Sequence, residues 1–224
     1  MPVIRSVFFD LYGTLFTYGN MGHAFQAWHQ TLANALLSFG KKISVHEIKE
    51  HCKKFFTLPI APNEEFTAYE IRLRKFFFFF QLEVSSTWLH SFANSSMDSW
   101  QAEITLHSEA IPLLSALQKR NIHTGIISNF EHAPHVRNLL KSSGLEPYLQ
   151  TIILSAEVQL KKPDSRIFLL ASSLSSISPQ ETLFVGDNPK EDFEGAKNAG
   201  MQTYLYKNAS PLMPILEIIN KHDS

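Results

Sequence analysis

"FFDLYGTLF", residues 8–16, decides how the rest of the chain is read. An apolar run ends on a carboxylate, Asp10, and the pair Gly13-Thr14 follows at once. Strands of a parallel sheet are covered on both faces and read as continuous apolar runs. Ligands of such sheets gather beyond the carboxyl ends of the strands. Val3 to Phe9 therefore reads as a first strand that delivers Asp10 to a ligand crevice. On its own Asp10 is equally the cap of a turn. Gly13 allows a sharp turn and a close backbone approach, and Thr14 adds a hydroxyl. Tyr12 is the oddity, an uncharged phenol two residues after the acid.

Four further runs resemble the first in length and composition: His123 to Ser128, Thr151 to Leu154, Thr182 to Val185 and Gln202 to Tyr206. Helical patterns lie among them. Glu109 to Arg120 sets Ile111, Leu114 and Leu117 on one stripe and ends in cations. Glu191 to Ala199 begins acidic and stops at Gly200, as the helix dipole and C-cap preferences require. Strand and helix in alternation predict an α/β fold, a doubly wound parallel sheet of five strands.

Residues 17–98 break the rhythm. Helical stretches near Gly22 to Phe39, Ser44 to Phe56, Glu64 to Gln81 and Ser85 to Ser99 occupy them. The expected organisation is a core made of residues 1–16 and 99–224, with a helical block, 17–98, inserted as a lid over the sheet's carboxyl ends. The run Phe76 to Phe80 turns through about 100° per residue and so wraps a helix all round. It fits a helix sandwiched between two layers, a subunit interface or an apolar wall over the substrate.

The totals set bounds. The chain has 224 residues, 44% of them apolar and 18% charged, with a formal charge of -1. That is room for one core with an insert, and there is no basic footprint for nucleic acid or an anionic membrane. A single cysteine, Cys52, cannot form an internal disulfide, which fits a reducing cytoplasm. Lacking a partner thiol or a local His motif, it does not read as a metal or nucleophile site. The longest apolar runs fall far short of the roughly 20 residues that span a bilayer, and the N-terminal run meets Asp10 too soon for a secretory signal.

Three more segments offer chemistry. "GIISNF" ends a strand on Ser128-Asn129, which caps a helix or sets a hydroxyl and an N–H against an anion. "LKKPDSRIF" holds Lys162 beside Pro163, whose locked φ suits a helix start. Such a lysine can balance phosphate and carboxylate charge, while Lys161 reads as a surface residue. "LFVGDNPKEDFEGAKNAG" runs a strand into Gly186-Asp187 and begins a helix near Asp192. Asp10 and Asp187 on neighbouring strand ends would supply the carboxylate pair that Mg²⁺ takes beside phosphate oxygens and water. Asp192 is either a plain helix acid or an outer-shell partner of that site.

Taken in order, Asp10-Leu11-Tyr12-Gly13-Thr14, Ser128, Lys162, and Gly186-Asp187 with Asp192 resemble the four motifs of the haloacid dehalogenase-like hydrolases, in the subfamily with a helical cap inserted after the first motif. The resemblance runs over essentially the whole chain. It implies a Rossmann-like core with Asp10 as nucleophile and Ser128 and Lys162 as catalytic partners. Thr14, Ser128, Asn129 and Lys162 would bind the substrate. Mg²⁺ would be held by Asp10, the main-chain carbonyl of Tyr12 and Asp187, with Asp192 in the second shell. The implied partner is a small phosphate ester, turned over by a monomer or homodimer.

Tyr12 divides the family's activities. Phosphatases usually carry a second Asp there as general acid, worth roughly 10² to 10⁴ in rate. Tyrosine resembles the 2-haloacid dehalogenases, whose halide leaves without a proton. Against that, Asp187 beside Asp10 without a cation would set like charges together and raise a pKa. Residues 17–71 also hold no Arg to receive a halide, Arg72 being the first. A Mg²⁺-dependent phosphatase is the expected activity, with dehalogenase and a non-catalytic metabolite-binding protein as alternatives. Tyr18, His23, Trp28 and Arg72 are the cap's candidates for substrate contact.

Overall fold

The computed structural model describes residues 2–57, 59–207 and 209–220. Its strands are β1 (Ser6–Phe9), β2 (Phe16–Tyr18), β3 (Ile104–Leu106), β4 (His123–Ser128), β5 (Thr151–Leu154), β6 (Thr182–Gly186) and β7 (Gln202–Leu205). The first six helices are α1 (Met21–Ser38), α2 (Val45–Phe55), α3 (Ala68–Phe79), α4 (Ser86–Gln101), α5 (Ala110–Lys119) and α6 (Ala133–Ser142). After them come α7 (Ser155–Val158), α8 (Ser165–Ser175), α9 (Gly195–Asn198) and α10 (Ile215–Asn220). The chain divides into two compact units, one of residues 1–18, 106–130 and 137–224, the other of 19–105 and 131–136.

The first unit is the expected α/β fold. Its five strands run parallel in the order β5-β4-β1-β6-β7. β1 is central, and all four of its residues are buried. Phe8, Ile127, Ile153, Phe168 and Phe184 form one continuous core between the sheet and α8. Three sequence expectations shift in detail. The first strand begins at Ser6 rather than Val3, although Arg5 still donates to Glu181 O. Residues 189–194 form a wide π-type turn before α9 rather than the start of a regular helix. Pro163, whose bond to Lys162 is cis, does not open α8; Asp164 caps it, its carboxylate accepting from Arg166 N at 3.0 Å.

The second unit is helical. α2 and α3 both open with reciprocal capping boxes, Ser44 with Glu47 and Thr67 with Glu70, which satisfy first-turn N–H groups that would otherwise go unbonded. The tryptophan N–H of Trp28 donates to Tyr69 Oη at 2.8 Å, so a buried indole keeps its partner. Residues 131–136, which sequence organisation assigns to the core, belong to this unit. Arg72, buried, donates to both carboxylate oxygens of Glu131 at 2.8 and 2.9 Å. His132, also buried, bonds Thr67 Oγ1 at 3.0 Å and Asn94 Oδ1 at 3.2 Å.

The phenylalanine run is not sandwiched. Phe76 and Phe77 are fully buried, Phe77 against Trp88 and Phe92, but Phe78 is 66% and Phe79 46% exposed. Cys52 is buried and its thiol is pushed up by burial, so it is an inert core residue. Among the described residues no helix is long and apolar enough to cross a membrane.

Candidate active site

The parallel register explains why distant segments meet. Phe9 is level with Ile126 on β4 and Val185 on β6. Asp10, Ser128 and Asp187 therefore all leave the sheet at the same end, within two residues of that level. Asp10 N still donates to Val185 O at 2.8 Å, which fixes its backbone to the last turn of the ladder. The chain then folds back on itself: Gly13 N donates to Phe16 O and Phe16 N to Leu11 O. Gly13 takes φ +90°, and a Cβ there would lie 2.2 Å from Asp187 Oδ2. Only glycine lets this turn press against the Asp187 carboxylate.

Lys162 lies at the centre. Its side chain is 2% exposed, and its ammonium donates to Asp10 Oδ1 at 2.5 Å and to Asp192 Oδ1 at 2.6 Å. Asn129 locks the lysine's backbone, accepting from Lys162 N and donating to Lys162 O, both at 2.9 Å. The same amide donates to Glu191 Oε2 at 3.0 Å. Asp192 is held from its other side by Asn188 N at 2.9 Å. Gly186 leaves it room, since a Cβ there would meet Asp192 Cγ at 2.4 Å.

Three carboxylates converge. Oxygens of Asp10, Asp187 and Asp192 lie within 4.8 Å of one another. Burial drives the Asp10 carboxyl well above the usual carboxylate range; Lys162 opposes that, and Asp192 and Asp187 add to it. Asp187 is raised too, by burial and by Asp192. Lys162 is held charged, because its two carboxylates outweigh its burial. The site has more negative charge than one ammonium can balance, and an all-oxygen donor set of this kind suits a hard divalent cation.

The remaining expected residues fall around this cluster. Ser128 is buried at the end of β4. Thr14 is fully buried, and its hydroxyl has no hydrogen-bond partner among the described residues. Tyr12 is buried, its ring stacked on Phe130 with centroids 5.0 Å apart, and burial raises its phenol far above the ordinary value. Tyr18 is partly exposed, and burial of the rest of it, helped by the charges of Asp10, Asp187 and Asp192, raises its phenol. Sequence reasoning missed Glu191 and Asn188. Their signal was present in the acidic, Asn-Pro-led turn after Asp187, but there only Asp192 was singled out.

The charge balance makes a prediction. Lys162→Met leaves three carboxylates together without a cation, and removing one partner of a buried pair costs about 3–5 kcal/mol. The folded pKa values of Asp10 and Asp187, already raised, then rise further above the unfolded value near 3.9. A raised acid destabilises the fold above its pKa and ceases to do so once both states are protonated. In EDTA the variant's stability deficit should thus be largest at neutral pH and shrink as pH falls toward about 5. Urea denaturation of both proteins at the two pH values measures it; a deficit independent of pH would contradict this electrostatic account.

Comparison with known proteins gives the same reading. The family model of the haloacid dehalogenase-like hydrolases matches residues 4–200. The rhythmically expressed gene 2 protein of Drosophila melanogaster is 34% identical over 131 residues, 54% of this chain and 50% of that protein. A phosphoserine phosphatase of Thermus thermophilus is 33% identical over 98 residues, 43% of this chain and 39% of that enzyme. The chain thus spans about half the length, or less, of these curated relatives. The crystal structure of a HAD phosphatase from Thermococcus onnurineus shares the fold, with a TM-score of 0.66 at 22% identity over 96% of this chain and 98% of that one. A match that takes in every segment meeting at Lys162 leaves one assignment: the chain belongs to the haloacid dehalogenase-like hydrolases.

Proposed function

We propose that the protein is a Mg²⁺-dependent phosphomonoester hydrolase that works through an aspartyl phosphate on Asp10. The observation that carries this is the convergence of Asp10, Asp187 and Asp192 within 4.8 Å around one buried ammonium. Asp10, Asp187 and the main-chain carbonyl of Tyr12 would hold the ion. When bound, it would supply positive charge to the ligating carboxylates and to phosphate oxygens.

The chain's own residues do the rest. Asp10 sends a carboxylate oxygen to phosphorus as the bond from phosphorus to the ester oxygen breaks, and the leaving group departs with that electron pair. Water then cleaves the acyl phosphate, which releases inorganic phosphate and restores the carboxylate. Lys162 opposes the burial that raises the Asp10 carboxyl and neutralises charge on the transferring group. The hydroxyls of Ser128 and Thr14 and the main-chain N–H of Asn129 bind phosphoryl oxygens, the unpartnered hydroxyl of Thr14 being available for such a bond. Asp192 acts from the second shell by orienting Lys162. Substrate choice belongs to the helical unit, expected at residues 17–98. Relatives named phosphoserine phosphatase and phosphoglycolate phosphatase support a small phosphorylated metabolite as the substrate class.

Dehalogenation is the second reading, and Tyr12 is the observation that favours it. Asp187 weighs against it, and so does Arg72, whose guanidinium is engaged with Glu131. Turnover of p-nitrophenyl phosphate and of 2-chloropropionate, each with Mg²⁺ and with EDTA, separates the two. The phosphate ester should be hydrolysed only with Mg²⁺, and Asp10→Asn should lose that activity by more than about 10³-fold, since an amide is no nucleophile. Chloropropionate turnover indifferent to EDTA would overturn the proposal.

Tyr12 also sets a leaving-group preference. A buried phenol held neutral is a poor proton donor at neutral pH. Aryl and acyl phosphates, which leave as weak bases, should therefore be hydrolysed far faster than alkyl phosphates. Tyr12→Asp should narrow the gap by about tenfold or more by restoring an acid. The check is kcat/KM for both substrate types in both proteins at saturating Mg²⁺; rapid alkyl phosphate turnover by the parent would show that another group supplies the proton.

A further inference from the structure

Phe78 and Phe79 lie on the outside of the helical unit, where large aromatic side chains are costly to leave in water. They are part of a longer stripe. Ile71, Arg74, Lys75, Phe78 and Phe79 recur along α3 at spacings of three and four residues, which is one face of a helix. With Lys54 and Phe55 of α2 they line an open groove of about 630 Å³. That is within the range of ligand clefts, about 300–1,000 Å³.

The groove is basic as well as apolar. Lys54 lies over the rings of Phe55 and Phe79, at 5.7 and 5.8 Å, and Arg74 over Phe66 at 5.2 Å. The neighbouring Lys53 is paired with Glu50, but among the described residues no ion pair to a carboxylate involves Lys54, Arg74 or Lys75. Among the described residues no acidic one lines the groove. This local concentration of positive charge contrasts with the chain's formal net charge of -1.

We infer that this groove docks an acidic amphipathic helix of another protein. On α3 the cations Arg74 and Lys75 sit in the middle of the stripe, between Ile71 at one end and Phe78 and Phe79 at the other, and Lys54 of α2 stands over Phe79. An occupant must bring carboxylates to the centre and apolar side chains one turn away on either side, the spacing of a helix laid in a groove. A second copy does not offer this. The helices α1, α5, α6, α8 and α9 contain no acidic residue, α4 contains one, Asp98, and the acids of α7, α10 and the turn 189–194 stand on segments of only four to six residues, too short to follow the stripe. The acids of α2 stand among its own lysines, and the one acid of α3, Glu70, is buried. A bilayer suits a projecting face better than a concave one.

The test uses a fluorescein-labelled amphipathic peptide that carries Glu and Leu at three- and four-residue spacing on one face, and a twin with every Glu replaced by Lys. Anisotropy should show saturable micromolar binding of the acidic peptide, weakened by added salt, and none of the twin. Lys75→Glu and Phe78→Ser should each weaken binding by about tenfold or more. Both side chains are exposed, and unchanged circular dichroism and melting temperature confirm that the variants fold. Absence of saturable binding, equal binding of the twins, or indifference to both substitutions overturns the inference. So does preferential binding to phosphatidylserine vesicles over the peptide, or self-association in ultracentrifugation that Phe78→Ser abolishes.

Discussion

The ammonium of Lys162, buried between the carboxylates of Asp10 and Asp192, is the interaction on which the α/β unit's working end depends. A charge at that depth is tolerable only with partners on more than one side. The surrounding chain is arranged to keep them there. Asn129 clamps the lysine's main chain at both N–H and carbonyl, Asn188 N holds Asp192, and the last ladder bond of β1 holds Asp10. Glycines 13 and 186 are the complement, since each leaves space that a neighbouring carboxylate fills. Four segments far apart in sequence are thereby bound into one charge balance.

That balance is deliberately incomplete in chemical terms. One ammonium faces three carboxylates, and burial pushes two of them, Asp10 and Asp187, above their usual range. A nucleophilic carboxylate must be ionised to react. The site as built therefore favours a ligand that brings further positive charge, which is why a hard cation is proposed with the phosphatase reading. Tyr12 fits beside this scheme: its ring packs on Phe130, and it adds neither a further negative charge nor a ready proton.

The fold was legible because each strand of a parallel sheet is apolar on both faces, so that runs such as Val3 to Phe9 stand out without any pairing information. The positions of Asp10, Ser128 and Asp187 could be read for the same reason, each closing such a run. Other features depend on tertiary geometry. Nothing in "LKKPDSRIF" says that Lys162 reaches two acids or that Asn129 holds its backbone. The membership of residues 131–136 in the helical unit follows from the Arg72–Glu131 and His132 bonds, which join positions about sixty residues apart. The phenylalanine run has no periodicity of its own. Its inward-turned rings pack on residues elsewhere in the chain, Phe76 on Phe55 and Phe56, and Phe77 on Trp88 and Phe92 of α4.

The covalent step tests the account most directly. The protein is mixed with p-nitrophenyl phosphate and Mg²⁺, quenched in acid during turnover, and reduced with borohydride, which converts an aspartyl phosphate to homoserine. Peptide mass spectrometry then locates the product. The account predicts homoserine at position 10 alone, present with substrate and Mg²⁺ together and absent when either is withheld. Steady hydrolysis with no modification at position 10, or with the modification at a different carboxylate, would contradict it.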